Sequence, residues 1–279
     1  MFIPPMLLTY ADNNLVRDTP NTLTELKLDG IRLIVSKTDK VRLYTRHNNN
    51  VTSKFPELLD TPIDEGTILD GELIVTDENG HPDFEAVMSR FQSKKSKVSV
   101  VFCAFDILRY RGIDVTSLSL LERKKLLSEA FEETSHYKLI QPVNGSATAY
   151  FEVVKRFGLE GIVIKDLFSS YIPDTRRKSW RKVINWIYAD VTISGLRKKK
   201  FGWLTSTTNP DGLFTPSGIV EFGVSPEQKR AFKLFSKQLI CKEDNNFIYL
   251  EPKIKIKVKT RNWTKNNMLR SPVFVEFTL

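Results

Sequence analysis

Apolar and polar residues alternate along "LTELKLDGIRLIV" (residues 23–35), where Leu26, Leu28, Leu33 and Val35 are the apolar positions. A period of two predicts β-strand. The strands continue through "VRLYTR", with "KTDK" (37–40) as the turn between them. "TILDGELIV" (67–75) predicts another strand, closed by the turn "TDENG". In "HPDFEAVMSRFQSK" (81–94) a proline near the start is followed by Phe84, Val87, Met88 and Phe91 at helical spacing, which predicts a helix. "KVSVVFCAFDIL" is an unbroken apolar run, the pattern of a strand buried on both faces. "SLLERKKLLSEAF" opens with Ser119 and Glu122 three apart, a capping box at the start of a helix. Residues 147–166 read as a helix that stops near Gly158, then a strand over 160–166.

Beyond residue 187 the pattern changes. "YADVTISGL", "FGWLTSTT", "SGIVEFGV", "FIYLEPKIKIKVK" and "SPVFVEF" are strand-like, and a single helix, "SPEQKRAFKLFSKQLI" (225–240), interrupts them. About five strands with one helix is the outline of an OB-type barrel. The expected class is therefore α+β: a domain of mixed sheets with helices over residues 1–187, then an OB-fold barrel over 188–279. In "KIKIKVK", Lys253, Lys255, Lys257 and Lys259 share one face, and Ile254, Ile256 and Val258 share the other.

Length and composition fit this picture without sharpening it. The 279 residues with 41% hydrophobic content suit one or two globular domains. The apolar patch at the start lacks a basic region before it and carries two prolines, so it does not read as a signal peptide. No apolar run has the length of a bilayer span. Only Cys103 and Cys241 are present, without metal-ligand spacing, and a reduced cytoplasmic setting is expected.

Charge adds more. The net +9 is uneven: residues 188–279 hold 16 Lys+Arg against 8 Asp+Glu, and the first 187 hold 26 against 25. The excess sits in the last third, which suggests a polyanion partner; a merely solvated basic face is the other reading. Lys253, Lys255, Lys257, Lys259 and the run Arg197, Lys198, Lys199, Lys200 are the expected nucleic-acid contacts.

Glu25, Lys27 and Asp29 stand in a row on one face of the first strand, and Gly30 and Arg32 follow at once. That face is either solvated or a site. A lysine becomes a nucleophile when its surroundings lower its pKa, and a glycine break beside it allows close approach of a ligand. In chain order there follow Arg46 in "YTRHNN", Asp70–Glu72 in "DGE", Phe105–Asp106 in "FCAFD", "EGIVIK" with Glu160, Gly161 and Lys165, and "WRKV" with Lys182. Together they offer an amine, cations for phosphates, carboxylates and an aromatic platform, the inventory for chemistry on a nucleoside triphosphate.

This ordered set resembles the covalent nucleotidyltransferases, and most of all the ATP-dependent DNA ligases of the small bacterial, phage and end-joining kind. "SWRKVINWIYADVTISG", "KFGWL", "YLEPKIKIKVK" and "LRSPVFVEF" carry the narrower likeness. The resemblance implies that Lys27 forms a lysyl–AMP adduct and that Asp29, Gly30 and Arg32 complete its motif, with Asp70 and Gly161 in support. It implies phosphate contacts for Arg32, Arg46, Lys165 and Lys182, ribose or metal contact for Glu72, and metal binding by Glu160. Phe105 would stack on adenine, whose edge the backbone at Glu25 and Leu26 would read. Arg270 in "LRSPVF" would help expel pyrophosphate. ATP with Mg²⁺ or Mn²⁺, nicked duplex DNA near the nucleoid and a monomeric state are the matching expectations. For Phe105, core packing is the competing reading; for Glu160, a simple pairing with Lys165.

Three departures stand out. Ile184 occupies the place of a second lysine after Lys182, so a phosphate contact is missing or comes from Arg181 or Lys178. The chain stops soon after "PVF", which implies a less efficient first step, and no long N-terminal DNA-binding domain precedes the first motif. Rival readings are an RNA ligase or a GTP-using capping enzyme within the class, and outside it a non-catalytic nucleic-acid-binding barrel.

Overall fold

The computed structural model describes every residue except Lys94 and Leu279. The last residue of the helix expected over 81–94, and the final residue of the chain, thus lie outside the described residues. The chain divides into two compact units, Met1–Asn185 and Trp186–Leu279.

Among its described residues the first unit holds eleven strands: β1 (Leu7–Tyr10), β2 (Thr22–Leu26), β3 (Ile31–Lys37), β4 (Val41–Thr45), β5 (Thr67–Ile74), β6 (Val101–Tyr110), β7 (Ile113–Asp114), β8 (Tyr137–Leu139), β9 (Val143–Asn144), β10 (Gly161–Asp166) and β11 (Arg176–Ile184). Its helices are α1 (Phe84–Gln92), α2 (Leu120–Ala130) and α3 (Ala147–Arg156). Two sheets form. One has the order β1-β11-β10-β2-β9; the other runs β4-β3-β5-β6-β7, with β8 also on β6. Helix α2 starts with the expected capping box between Ser119 and Glu122. Strand β6 is buried along most of its length, as its unbroken apolar run requires.

Several strands have no alternating signal. Strand β11, "RRKSWRKVI", carries five cations in nine residues. It is a strand because β1 and β10 flank it on both sides, and only Trp180, Val183 and Ile184 need full burial. The apolar N-terminal patch also belongs to the core, with Ile3 and Met6 buried. Leu23 and Trp180 from the first sheet pack with Ile34, Ile68 and Phe105 from the second. On the opposite face of the first sheet, Ile162, Ile164 and Val183 pack on Phe151 and Val154 of α3.

The second unit contains β12 (Ile187–Arg197), β13 (Trp203–Thr208), β14 (Phe214–Val220), β15 (Ile240–Glu243), β16 (Phe247–Thr260), β17 (Val273–Thr278) and α4 (Pro226–Phe235). Among the described residues this unit has six strands where about five are expected. The helix expected over 225–240 ends at Phe235; a 3-10 turn, Ser236–Leu239, follows, and Ile240 opens β15. Long β16 pairs with β12 on one edge and with β15 and β17 on the other. A bridge between Phe222 and Val273 links the segment after β14 to β17. The alternation in "KIKIKVK" holds: Ile256 and Val258 are in the core with Trp203 and Phe274, and Lys253 and Lys255 are exposed.

Candidate active site

The strand expected through residue 29 stops at Leu26, because residues 27–30 form the crossing from one sheet to the other. Lys27 keeps one ladder bond: its N–H donates to the Gly161 carbonyl at 2.9 Å. Register places Glu25 opposite Val163, which pairs with Lys182, and Leu23 opposite Lys165, which pairs with Trp180. Glu25, Lys165, Trp180 and Lys182 therefore share one face. By antiparallel alternation the backbone groups of Leu26 point away from β10, past the end of β9. Those of Glu25 are taken by β10.

The face with Glu25 and Lys27 is not an open one: Glu25 is covered and Lys27 keeps only partial access to water. Glu25 is buried, and two lysines share it: Lys124 from α2 on one oxygen and Lys165, at 2.5 Å, on the other. Burial alone raises the Glu25 carboxyl, but the two cations outweigh it and hold it below the usual range. Lys165 sits over the rings of Trp180 (4.0 Å) and Phe105 (4.5 Å). Burial, then the like charge of Lys124, push Lys165 down to about 8 against the pull of Glu25.

Lys27 Nζ donates to Glu160 Oε2 at 2.7 Å. Glu160 is thus the partner of Lys27 and not of Lys165. Arg32 forks onto buried Asp70, with Nε–Oδ1 at 2.5 Å, and the Tyr171 hydroxyl donates to the same carboxylate at 2.6 Å. Its guanidinium lies 4.4 Å from the centre of the Phe105 ring. Burial works against the charged Arg32, and Asp70 more than offsets it, raising the pKa. Glu72 opposes Arg32 across the β3–β5 ladder. Burial pushes its carboxyl up to about 7, with Glu160 and Asp70 adding to the rise and Lys27 and Arg32 opposing it.

Glu25, Lys27, Arg32, Glu72, Phe105 and Lys165 line one cleft of about 390 Å³. Phe105 is both core and cleft wall, being 7% exposed. Two glycines of the motifs have backbone reasons. At Gly30 a Cβ would lie 2.3 Å from the Leu73 carbonyl, so the close approach there is to β5 and not to a ligand. At Gly161, with φ +154°, a Cβ would lie 2.1 Å from the Val183 carbonyl.

Other expected residues fall elsewhere. Arg46 is exposed in the turn after β4. Lys182 is half-buried with its ammonium 4.0 Å from the centre of the Tyr10 ring. Ile184 is buried opposite Gly161. Of the two substitutes for a second lysine, Arg181 falls on the face opposite Lys182 and Lys178 is exposed. In the second unit, the backbone of Arg270 bonds Asn262 and Thr260. Arg197 and Lys200 pair with Glu221, Lys198 with Glu243, Lys253 with Glu251 and Lys257 with Glu276. Five of the basic side chains are thus paired with four carboxylates, and the positive excess of the unit remains. A recess of about 830 Å³ in this unit is rimmed by Arg197, Lys198, Lys229 and Lys233.

Two participants carry no sequence signal. Lys124 lies in an ordinary charged helix turn, and Tyr171 in a loop; only the fold brings them to Glu25 and Asp70. The cleft brings together an amine, a set of cations and an aromatic face. Among the described residues no three His, Cys, Asp or Glu side chains form a metal cluster, and no helix is long and apolar enough to cross a membrane.

Comparison with known proteins agrees. The pattern of the ATP dependent DNA ligase domain matches residues 5–183. The SPbeta prophage-derived DNA ligase-like protein LigB of Bacillus subtilis (strain 168) is 44% identical over 275 residues, covering 98% of both chains. A DNA ligase of Thermococcus onnurineus is 31% identical across 91% of this chain, which spans only 50% of that protein. The crystal structure of the ligase domain of M. tuberculosis LigD has a TM-score of 0.57 and 25% identity, covering 99% of this chain and 95% of that one.

Proposed function

The chain belongs to the ATP-dependent DNA ligase family, and we propose that it seals nicks in duplex DNA with Lys27 as the nucleophile. The observation that carries this reading is the Lys27–Glu160 pair at 2.7 Å, in one cleft with Phe105 and Lys165.

In the first step Lys27 Nζ gives up a proton and attacks the α-phosphorus of ATP. A P–N bond forms, the bond to the bridging oxygen breaks, and pyrophosphate leaves. Next, an oxygen of the 5′-phosphate at a nick attacks the same phosphorus and Lys27 is released. The 3′-hydroxyl then attacks the 5′-phosphorus, AMP departs, and the backbone is continuous. Phe105 and Trp180 wall the base side of the cleft, Leu26 offers backbone groups to the base edge, Lys165 serves the α-phosphate, and Lys182, outside the cleft lining, would join it by leaving the Tyr10 ring. Arg32, held by Asp70, serves the nucleotide or the nick phosphate, with Arg46 as a second phosphate contact. Arg270 assists departure of pyrophosphate.

A divalent cation, Mg²⁺ or Mn²⁺, fits the carboxylates at hand: buried Glu160, and Glu72, whose carboxyl burial raises and which Glu160 raises further. Two carboxylates completed by substrate phosphates is the usual magnesium arrangement. Such an ion would supply charge neutralisation at the phosphates. Glu160 would bind it and in doing so release Lys27.

The second unit we read as an OB-type module, in keeping with its six-stranded sheet and the Phe222–Val273 bridge. Its lysine face and the run Arg197, Lys198, Lys199 and Lys200 would track DNA phosphates. A monomer in the cytoplasm is the matching state.

The test is transfer of label from α-phosphate-labelled ATP, with Mg²⁺ or Mn²⁺, to the protein on a denaturing gel. Wild type should be labelled and Lys27→Ala should not. Label on the variant, or on wild type from GTP but not ATP, would overturn the assignment. Sealing of a nicked DNA duplex against a nicked RNA duplex then tests the substrate.

A further inference from the structure

Glu25 is 2% exposed, and both its oxygens are taken by ammonium groups. A buried carboxylate needs one counter-ion; this one has two, from different elements. Lys165 comes from the β10 ladder and lies between the Phe105 and Trp180 rings. Lys124 comes from α2, and its position is set by its neighbour. The guanidinium of Arg123, fully buried, forks onto Asp106 at 2.8 and 2.9 Å and donates to the carbonyls of Leu118 (2.6 Å) and Ser169 (3.1 Å). That clamp fixes the rotation of α2 against β6, the strand that also carries Phe105.

The two lysines are not equivalent. Lys165 faces the cleft over the aromatic wall, where a nucleotide would compete with Glu25 for it. Lys124 does not line the cleft. If Lys165 alone balanced Glu25, its turning to phosphate would leave an unpaired charge at a site closed to water, a severe penalty.

We propose that Lys124 is a positioning residue for the nucleotide step: it is the standing counter-ion of Glu25, and it frees Lys165 to turn from Glu25 to the phosphate of the bound nucleotide. This rests on the proposed adenylation chemistry. The depressed pKa of Lys165, to which the like charge of Lys124 contributes, agrees with a weakly held Lys165.

The test is self-adenylation of Lys124→Met and Lys124→Arg against ATP concentration, with thermal unfolding alongside. Lys124→Met should raise the KM for ATP roughly tenfold or more, as loss of a charge-assisted contact does. Its rate at saturating ATP should fall far less, and Lys124→Arg should restore most of the affinity. An unchanged KM in Lys124→Met overturns the proposal. So does a fall in rate at saturating ATP that simply follows lost thermal stability, since that marks a structural residue. Absence of AMP transfer in wild type would instead sink the parent reading, and this proposal with it.

Discussion

Lys27 and Glu160, 133 residues apart, meet at 2.7 Å with the carboxylate almost fully buried. The only amine in the "KLDGIR" motif is thus held by the group that the resemblance assigns to a metal ion. Glu160→Gln should leave Lys27 in place against a neutral amide. Because Lys27 reaches water, stability should change by only about 1 kcal/mol. Protein labelling from ATP should slow by about a hundredfold or more. Gel labelling rates and a thermal melt check both halves; rapid labelling of the variant would remove Glu160 from the mechanism.

Arg32 and Tyr171 both converge on Asp70. Asp70→Asn leaves a half-buried guanidinium facing a buried amide. The expected loss is roughly 3 kcal/mol, visible as a drop in Tm of about 6–12 °C. ATP affinity should fall with it, since Arg32 loses the support that holds it beside Phe105. A melt within a degree of wild type would contradict the pairing.

Glu72 carries a pH dependence. Its folded pKa of about 7 lies above the ordinary 4.5, so between those values the folded protein binds the extra proton. Stability from this group is complete below about 4.5 and is lost as pH rises through 7. Wild type should lose on the order of 1 kcal/mol more than Glu72→Gln between pH 6 and 8, allowing for partial exposure. Divalent cations should reverse the loss in wild type only. Parallel melting curves for the two proteins at both pH values would refute the assignment.

The lysines of β16 should contribute unequally to DNA binding. Lys257 lies beside Glu276 and opposite Asp190, whereas Lys255 has Thr192 and Thr278 across the ladder. Lys255→Ala should lower the slope of log affinity against log salt by about 0.9. Lys257→Ala should lower it less. Fluorescence anisotropy on nicked duplex across a salt series measures both, and equal slopes would show that Glu276 does not matter.

Elements whose pattern is local are legible in the order of the amino acids alone. The capping box at Ser119, the buried run of β6, the turn at residues 37–40 and the two faces of "KIKIKVK" needed only periodicity and neighbouring residues. Lys27, Arg32, Glu72, Phe105 and Glu160 could be gathered as one set from their motifs and chain order. Tertiary structure decided everything that depends on partners far along the chain. It made a strand of cation-rich β11, ended β2 at Leu26, and gave Glu160 to Lys27 instead of Lys165. It brought Lys124 to Glu25 and Tyr171 to Asp70, residues with no motif of their own. The physical reason is that a charge has no periodicity: whether a carboxylate is solvated or buried between two ammonium groups depends on which chain segments close over it, and nothing in its neighbours along the sequence records that.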